Sequence, residues 1–161
     1  GDWLNVSSDI AAAVSFYGIS DLTTIGEGLN QDEVHSSPAV TEALLVNGAA
    51  FGNFAGAPIT ADRKKAMAAS PLGHVDGTEP PVLLMHGSAD TLVSPLQSKH
   101  FYDALKAKKT DVSYVLVEGA HHGDDPWFQQ PVIDRVVTWF TAKLGGEKTV
   151  TGKTVDRAAN L

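Results

Sequence analysis

The hydrophobic residues of this chain gather in three short runs, each apolar at nearly every position rather than at alternate ones. They are residues 11–17 (AAAVSFY), 81–85 (PVLLM) and 112–117 (VSYVLV), and a glycine follows each within two residues. A strand covered on one face alternates. A continuous apolar run is the pattern of a strand covered on both faces, as in a parallel sheet. The stretches after the second and third runs change to a helical period. Ser94 stands as an N-cap, Pro95 as the first helical residue and Gln97 three positions after the cap, which reads as a capping box. Phe101, Ala104, Leu105 and the stem of Lys108 then fall on one face. A second helix is expected from Asp124 or Asp125, with Pro126 in its first turn. Val132, Ile133, Val136, Val137, Phe140 and Leu144 follow at spacings of three to four, and Gly145-Gly146 stops it.

Strand, helix, strand, helix in this order predicts an α/β fold with about three parallel strands, right-handed crossovers and flanking helices. Between Gly18 and Pro80 the pattern breaks into scattered Gly, Pro, Asn and Thr, with two short helices expected near residues 38–46 and 61–69. That stretch is far longer than the roughly 2–6 residues usual between strand and helix in α/β units. It reads as a crossover enlarged by a lid or cap insertion, about residues 21–75. Residues 1–146 form the domain on this reading, and 147–161 a polar tail without a core stripe.

Composition narrows the picture. At 161 residues, 43% hydrophobic and 19% charged, the chain is one ordinary soluble domain, cytoplasmic or secreted. A net charge of −7 excludes the basic surface that nucleic acid or anionic membrane would require. No run approaches the ~18 apolar residues of a membrane span. With no cysteine there is no disulfide, no thiolate metal site and no thiol nucleophile. The chain opens Gly1-Asp2-Trp3, which is not an initiator sequence, so a longer parent is expected.

Two short motifs carry the chemistry. His86-Gly87-Ser88-Ala89-Asp90 follows the second run and Gly119-Ala120-His121-His122-Gly123 follows the third. In an open parallel sheet, functional groups collect beyond the carboxyl ends of the strands, so Asp90 and His122 belong on the same edge. An acid held against a histidine fixes its tautomer and stabilises the imidazolium formed when it takes a proton. Asp90 and His122 are therefore the expected acid and base of a catalytic triad. No G-x-S-x-G precedes them. Gly18-Ile19-Ser20-Asp21 begins like a nucleophile elbow but lacks the second glycine and the following helix, and Ser88 matches no elbow.

The stretches PPVLLMHGSADTLVSPLQSKHFYDAL and VSYVLVEGAHHG, with the amphipathic helix after them, resemble the C-terminal half of an α/β-hydrolase. The similarity is to the esterase/lipase branch that includes feruloyl-esterase-like, acetyl-esterase-like and hormone-sensitive-lipase-like enzymes. VSSDIAAAVSFYGISDL resembles the strand after the nucleophile helix of that branch. The resemblance implies that Asp90 is the triad acid and His122 the base. It also implies that the nucleophilic serine and the oxyanion loop lie on an N-terminal segment before Gly1. The implied activity is carboxylic-ester hydrolysis through an acyl-enzyme, with no metal or other cofactor. Small acyl esters, or acetyl or feruloyl esters of carbohydrate, are the implied substrates. A prolyl-oligopeptidase-type serine peptidase shares the same C-terminal pattern. An inactive fragment that only associates, with its N-terminal half or with itself as a homo-oligomer, is the reading from another class. It rests on the first run, an edge strand apolar on both faces and hence a template for pairing.

Tyr17, Asp21, His121 and Trp127 are expected to border the substrate pocket, although each has a plain structural role available. The cluster from His121 to Asp125 does not place three ligands on one face, and Asp124 and Asp125 read better as N-caps than as metal ligands. His86 is expected to support the Asp90 loop. His35, His74 and His100 carry no motif and read as surface or lid residues. Lys106, Lys108 and Lys109 close a helix and suit its dipole.

Overall fold

A computed structural model describes residues 4–48 and 56–145. Its centre is the parallel sheet that the three apolar runs predict, formed by β1 (Ala13–Phe16), β2 (Val82–Gly87) and β3 (Val112–Val117) in that order. Ala13 stands opposite Val82, and Val82 opposite Val112. β2, flanked on both sides, is buried at all six positions. Its side chains alternate between two layers. Leu83 and Met85 pack with Trp127, Val132, Val136 and Trp139 on one face, and Val82 and Leu84 with Phe101, Leu105 and Tyr114 on the other. The edge strands are covered less than their runs predict, and Phe16 and Leu116 are exposed. Beyond β2, β1 has no strand partner among the described residues.

The helix after β2, α4 (Pro95–Ala107), starts where predicted, with Ser94 as N-cap. The capping box does not form. Ser94 Oγ accepts from Leu96 N, while the Gln97 amide leaves the helix start and clamps the turn after β1. Gln97 Oε1 accepts from Ser20 N at 2.9 Å and Asp21 N at 2.8 Å, and Nε2 donates to Thr24 O at 3.0 Å. Buried backbone donors must be paired, and satisfying two of them with one buried amide outweighs a reciprocal cap at the helix start.

The last helix is also displaced. Asp125–Phe128 forms a 3-10 turn, Gln129 is extended, and α5 runs over Gln130–Leu144. Pro131 accounts for the break: with no N–H to give to the carbonyl four residues earlier, it fits a first helical turn but not a helix interior. Asp124 makes no side-chain cap. The residues between β1 and β2 hold α1 (Asp32–His35), α2 (Thr41–Asn47) and α3 (Arg63–Ala68), with 3-10 turns at Leu22–Thr24, Ile59–Asp62 and Pro71–His74. Their small core is Leu22, Ile25, Ile59 and Ala66. The predicted tail lies outside the described residues. No helix among the described residues is long and apolar enough to cross a membrane.

One glycine sets the distance between the two motif loops. A Cβ at Gly87 would lie 2.2 Å from the Ala120 carbonyl oxygen, which is backbone and cannot swing aside. The close approach lets Ser88 N donate to Val117 O at 3.0 Å and Ala89 N to Ala120 O at 3.0 Å, tying the end of β2 to the loop after β3. A Gly87→Ala substitution is expected to destabilise by about 1–3 kcal/mol, as overpacking does. Urea unfolding of the wild type and the variant side by side checks it.

Candidate active site

Asp90 is reached three residues after β2, where Asp90 N donates to Gly87 O and closes a tight turn. Its carboxylate is 3% exposed at the residue level and fully supplied with donors. Oδ1 accepts from Leu92 N and Val93 N, each at 2.9 Å. Oδ2 accepts from His122 Nδ1 at 2.9 Å and lies 3.2 Å from His86 Nε2. A carboxylate taken from water without such partners would be costly; with them it becomes a fixed acceptor.

His86 is the support beneath it. The Val93 carbonyl lies 2.9 Å from Nε2 and can only accept, so Nε2 carries the hydrogen. Nδ1 then accepts from the Ser98 hydroxyl at 2.7 Å. Burial pushes the His86 pKa below its ordinary 6.5, outweighing the Val93 carbonyl and Asp90, which both raise it. Below about pH 6.5 the unfolded chain protonates this histidine while the folded chain resists, so the unfolded state binds more protons. The stability contribution is full above that pH and drains as pH falls through it. Urea midpoints are expected to fall as pH drops from about 7.5 to 5.5, and a His86→Gln variant to show a shallower fall.

His122 arrives from the other loop. Asp124 Oδ2 accepts from His121 N at 3.1 Å, and Trp127 Nε1 donates to His121 O at 2.7 Å. Gly123 takes φ +70° to complete the turn. Asp90 occupies Nδ1 of His122, which leaves Nε2 for a reacting group. The side chain is 28% exposed. Tyr17 packs its ring on the imidazole, with centroids 4.4 Å apart, and on Trp127 at 4.8 Å. Tyr17 has φ +43°, an uncommon conformation for a bulky residue. Its N–H still pairs with Met85 O at 2.8 Å, so the chain leaves β1 abruptly and places the ring over His122.

A cavity of about 400 Å³ opens at His122. Tyr17, Gly18, Ile19, Leu92 and Val93 line it from the strand ends, and Ile25, His35 and Glu42 from the segment between β1 and β2. Of the four residues predicted at the pocket border, Tyr17 is there. Asp21 instead caps the Leu22–Thr24 turn, accepting from Thr23 N at 2.8 Å. His121 is exposed and meets its neighbours through its backbone. Trp127 is buried behind Tyr17 and, with Phe16, Phe128 and Ile133, faces a separate apolar hollow of about 280 Å³. Ser20 is 2% exposed and donates its hydroxyl to Gln97 O at 2.6 Å. Ser88 Oγ accepts from Gly119 N at 2.8 Å, the place of a turn residue. His74 pairs with the Ala68 carbonyl, and His100 lies 3.8 Å from Glu27 on the surface. No three His, Asp or Glu side chains converge as a metal site among the described residues. His35 and Glu42 on the cavity wall had no signal in the sequence, because they lie in a segment without periodicity.

A three-stranded parallel sheet with an acid and a histidine beyond the ends of adjacent strands is the arrangement of an α/β-hydrolase, and the comparisons agree. A truncated carbohydrate esterase from gut microbiota superposes over 91% of this chain and 47% of its own, at TM-score 0.73 and 21% identity. Residues 2–105 match the family described as BD-FAE, and the chain belongs to that esterase family. The Mycobacterium tuberculosis protein named Probable carboxylic ester hydrolase LipM is 30% identical over 118 residues, 72% of this chain and 24% of its own length. A puromycin-hydrolyzing peptidase of Mycobacterium tuberculosis is 29% identical, with TM-score 0.57, over 86% of this chain and 19% of its own. The chain thus spans about a quarter of the length of that ester hydrolase and about half that of the carbohydrate esterase.

Proposed function

We propose that this chain supplies the base, His122, and the acid, Asp90, of a serine carboxylic-ester hydrolase, and that the nucleophilic serine comes from a segment preceding Gly1. The contact from His122 Nδ1 to Asp90 Oδ2 at 2.9 Å carries the reading. The serine hydroxyl attacks the ester carbonyl while His122 Nε2 takes its proton, and Asp90 steadies the imidazolium. The C–O bond to the alcohol breaks as Nε2 returns the proton to the leaving oxygen, giving an acyl-enzyme. Water then attacks the acyl carbon, gives its proton to Nε2, and the serine leaves with that proton. The engaged hydroxyls of Ser20 and Ser88 favour a nucleophile from elsewhere. The residue 21–75 segment acts as a cap over the cavity on this reading, since Ile25, His35 and Glu42 wall it.

The peptidase relative favours a second reading, amide rather than ester cleavage. Assays of the enzyme comprising this chain and its preceding segment, with p-nitrophenyl acetate and an aminoacyl p-nitroanilide, decide between them. Preferred cleavage of the ester is expected. Cleavage of the anilide alone would favour the peptidase, and cleavage of neither would leave the association-only reading.

A further inference from the structure

Tyr17 stands in a conformation that its side chain disfavours, and its ring lies against His122. Its φ of +43° is in the left-handed region, which a glycine enters freely and a bulky residue enters at a cost. Strain of this kind persists only where the surroundings over-determine it, and it collects at functional sites. Backbone pairing does not explain a tyrosine here, because the N–H that donates to Met85 O belongs to any residue except proline. What the tyrosine adds is its ring, whose centroid lies 4.4 Å from that of His122 at an interplanar angle of 56°. Trp127 meets the same ring at 4.8 Å and 74° and holds it in place. The hydroxyl end reaches over the next residue, where a Cβ on Gly123 would lie 3.4 Å from the tyrosine oxygen. Tyr17 thus spans His122 and Gly123 together. A catalytic base carries a positive charge while it holds the transferred proton. An aromatic face carries negative potential and attracts a cation within about 6 Å of its centroid, and does far less for a neutral ring. A contact that strengthens as charge develops lowers the barrier without tightening the substrate complex.

We infer that Tyr17 is a positioning residue for His122, and that its aromatic ring stabilises the imidazolium formed in each half of the reaction. The inference rests on the reading of His122 as the base of a serine hydrolase. Asp90 answers the charge through Nδ1, and Tyr17 answers it through the body of the ring. Tyr17 takes no proton and forms no bond.

The test replaces Tyr17, in the enzyme comprising this chain and its preceding segment, with phenylalanine and with its 4-fluoro, 3,5-difluoro and 3,4,5-trifluoro forms. Fluorine drains the negative potential of the face while leaving the shape of the ring almost unchanged. With p-nitrophenyl acetate, kcat is expected to fall stepwise along the series, by about two- to fivefold in all, the worth of a cation–π contact at a part-exposed site. KM and the urea midpoint are expected to stay level across the series. Tyr17→Leu removes the face altogether, and its kcat is expected to lie well below that of Tyr17→Phe. A kcat indifferent to the number of fluorines would overturn the inference alone, since a ring that merely fills space gives that result. So would a series that moves KM and leaves kcat, which would put the ring on the substrate, or a Tyr17→Leu enzyme with the kcat of Tyr17→Phe. A wild-type enzyme that cleaves neither p-nitrophenyl acetate nor an aminoacyl p-nitroanilide would overturn the hydrolase reading and this one with it.

Discussion

A His122→Ala enzyme is expected to lose about 10⁴-fold or more in kcat, with KM changed little, because in the proposed mechanism the histidine acts as base and then as acid in each half of the reaction. The substitution removes a side chain that is part exposed and whose one hydrogen bond among the described residues is to Asp90. The loop keeps its shape through the backbone of His121, which Asp124 and Trp127 hold. The urea midpoint is therefore expected to stay close to wild type, which separates lost chemistry from lost folding. Added imidazole can enter the space left by the ring and is expected to restore a measurable fraction of turnover. Steady-state kinetics with p-nitrophenyl acetate, with and without imidazole, checks all three.

Asp90→Asn carries the second large effect, and its logic is one of donors and acceptors. The asparagine oxygen can still accept from Leu92 N and Val93 N, as Oδ1 does now. Its NH₂ then occupies the place of Oδ2 and points hydrogens at His122 Nδ1 and His86 Nε2. His122 escapes the clash by moving its hydrogen to Nε2, the nitrogen that must accept the serine proton. His86 cannot exchange tautomers so easily, because Nε2 is committed to the Val93 carbonyl. A drop of about 10⁴-fold in kcat is expected, the size found when the acid of a serine triad is amidated. A loss of about 1–3 kcal/mol in stability accompanies it, from the opposed donors at His86.

The sheet and the central pair were legible because each rests on a short-range rule. Runs without alternation marked β2 as buried on both faces, and residues just beyond β2 and β3 had to lie at one edge. That placed Asp90 and His122 together. Gln97 was misread because it has two partners to choose from, its own helix start and the turn after β1, and only the folded chain brings the second within reach. Pro131 was overlooked as a boundary because the apolar spacing runs on past it in both directions. His35 and Glu42 stand seven residues apart in a segment whose elements are three to seven residues long. Such elements are set by tertiary packing rather than by an amphipathic period, so their cavity-facing residues carry no local mark.

A serine-reactive fluorophosphonate, followed by peptide mapping, tests most directly whether Asp90 and His122 serve a serine that precedes this chain. It is applied to the enzyme comprising the chain and its preceding segment, as wild type and as His122→Ala. The expected result is a single labelled serine N-terminal to Gly1 in the wild type, with labelling abolished or greatly slowed in His122→Ala. A label on Ser20 or another serine within residues 1–161, or equal labelling of both proteins, would contradict the assignment.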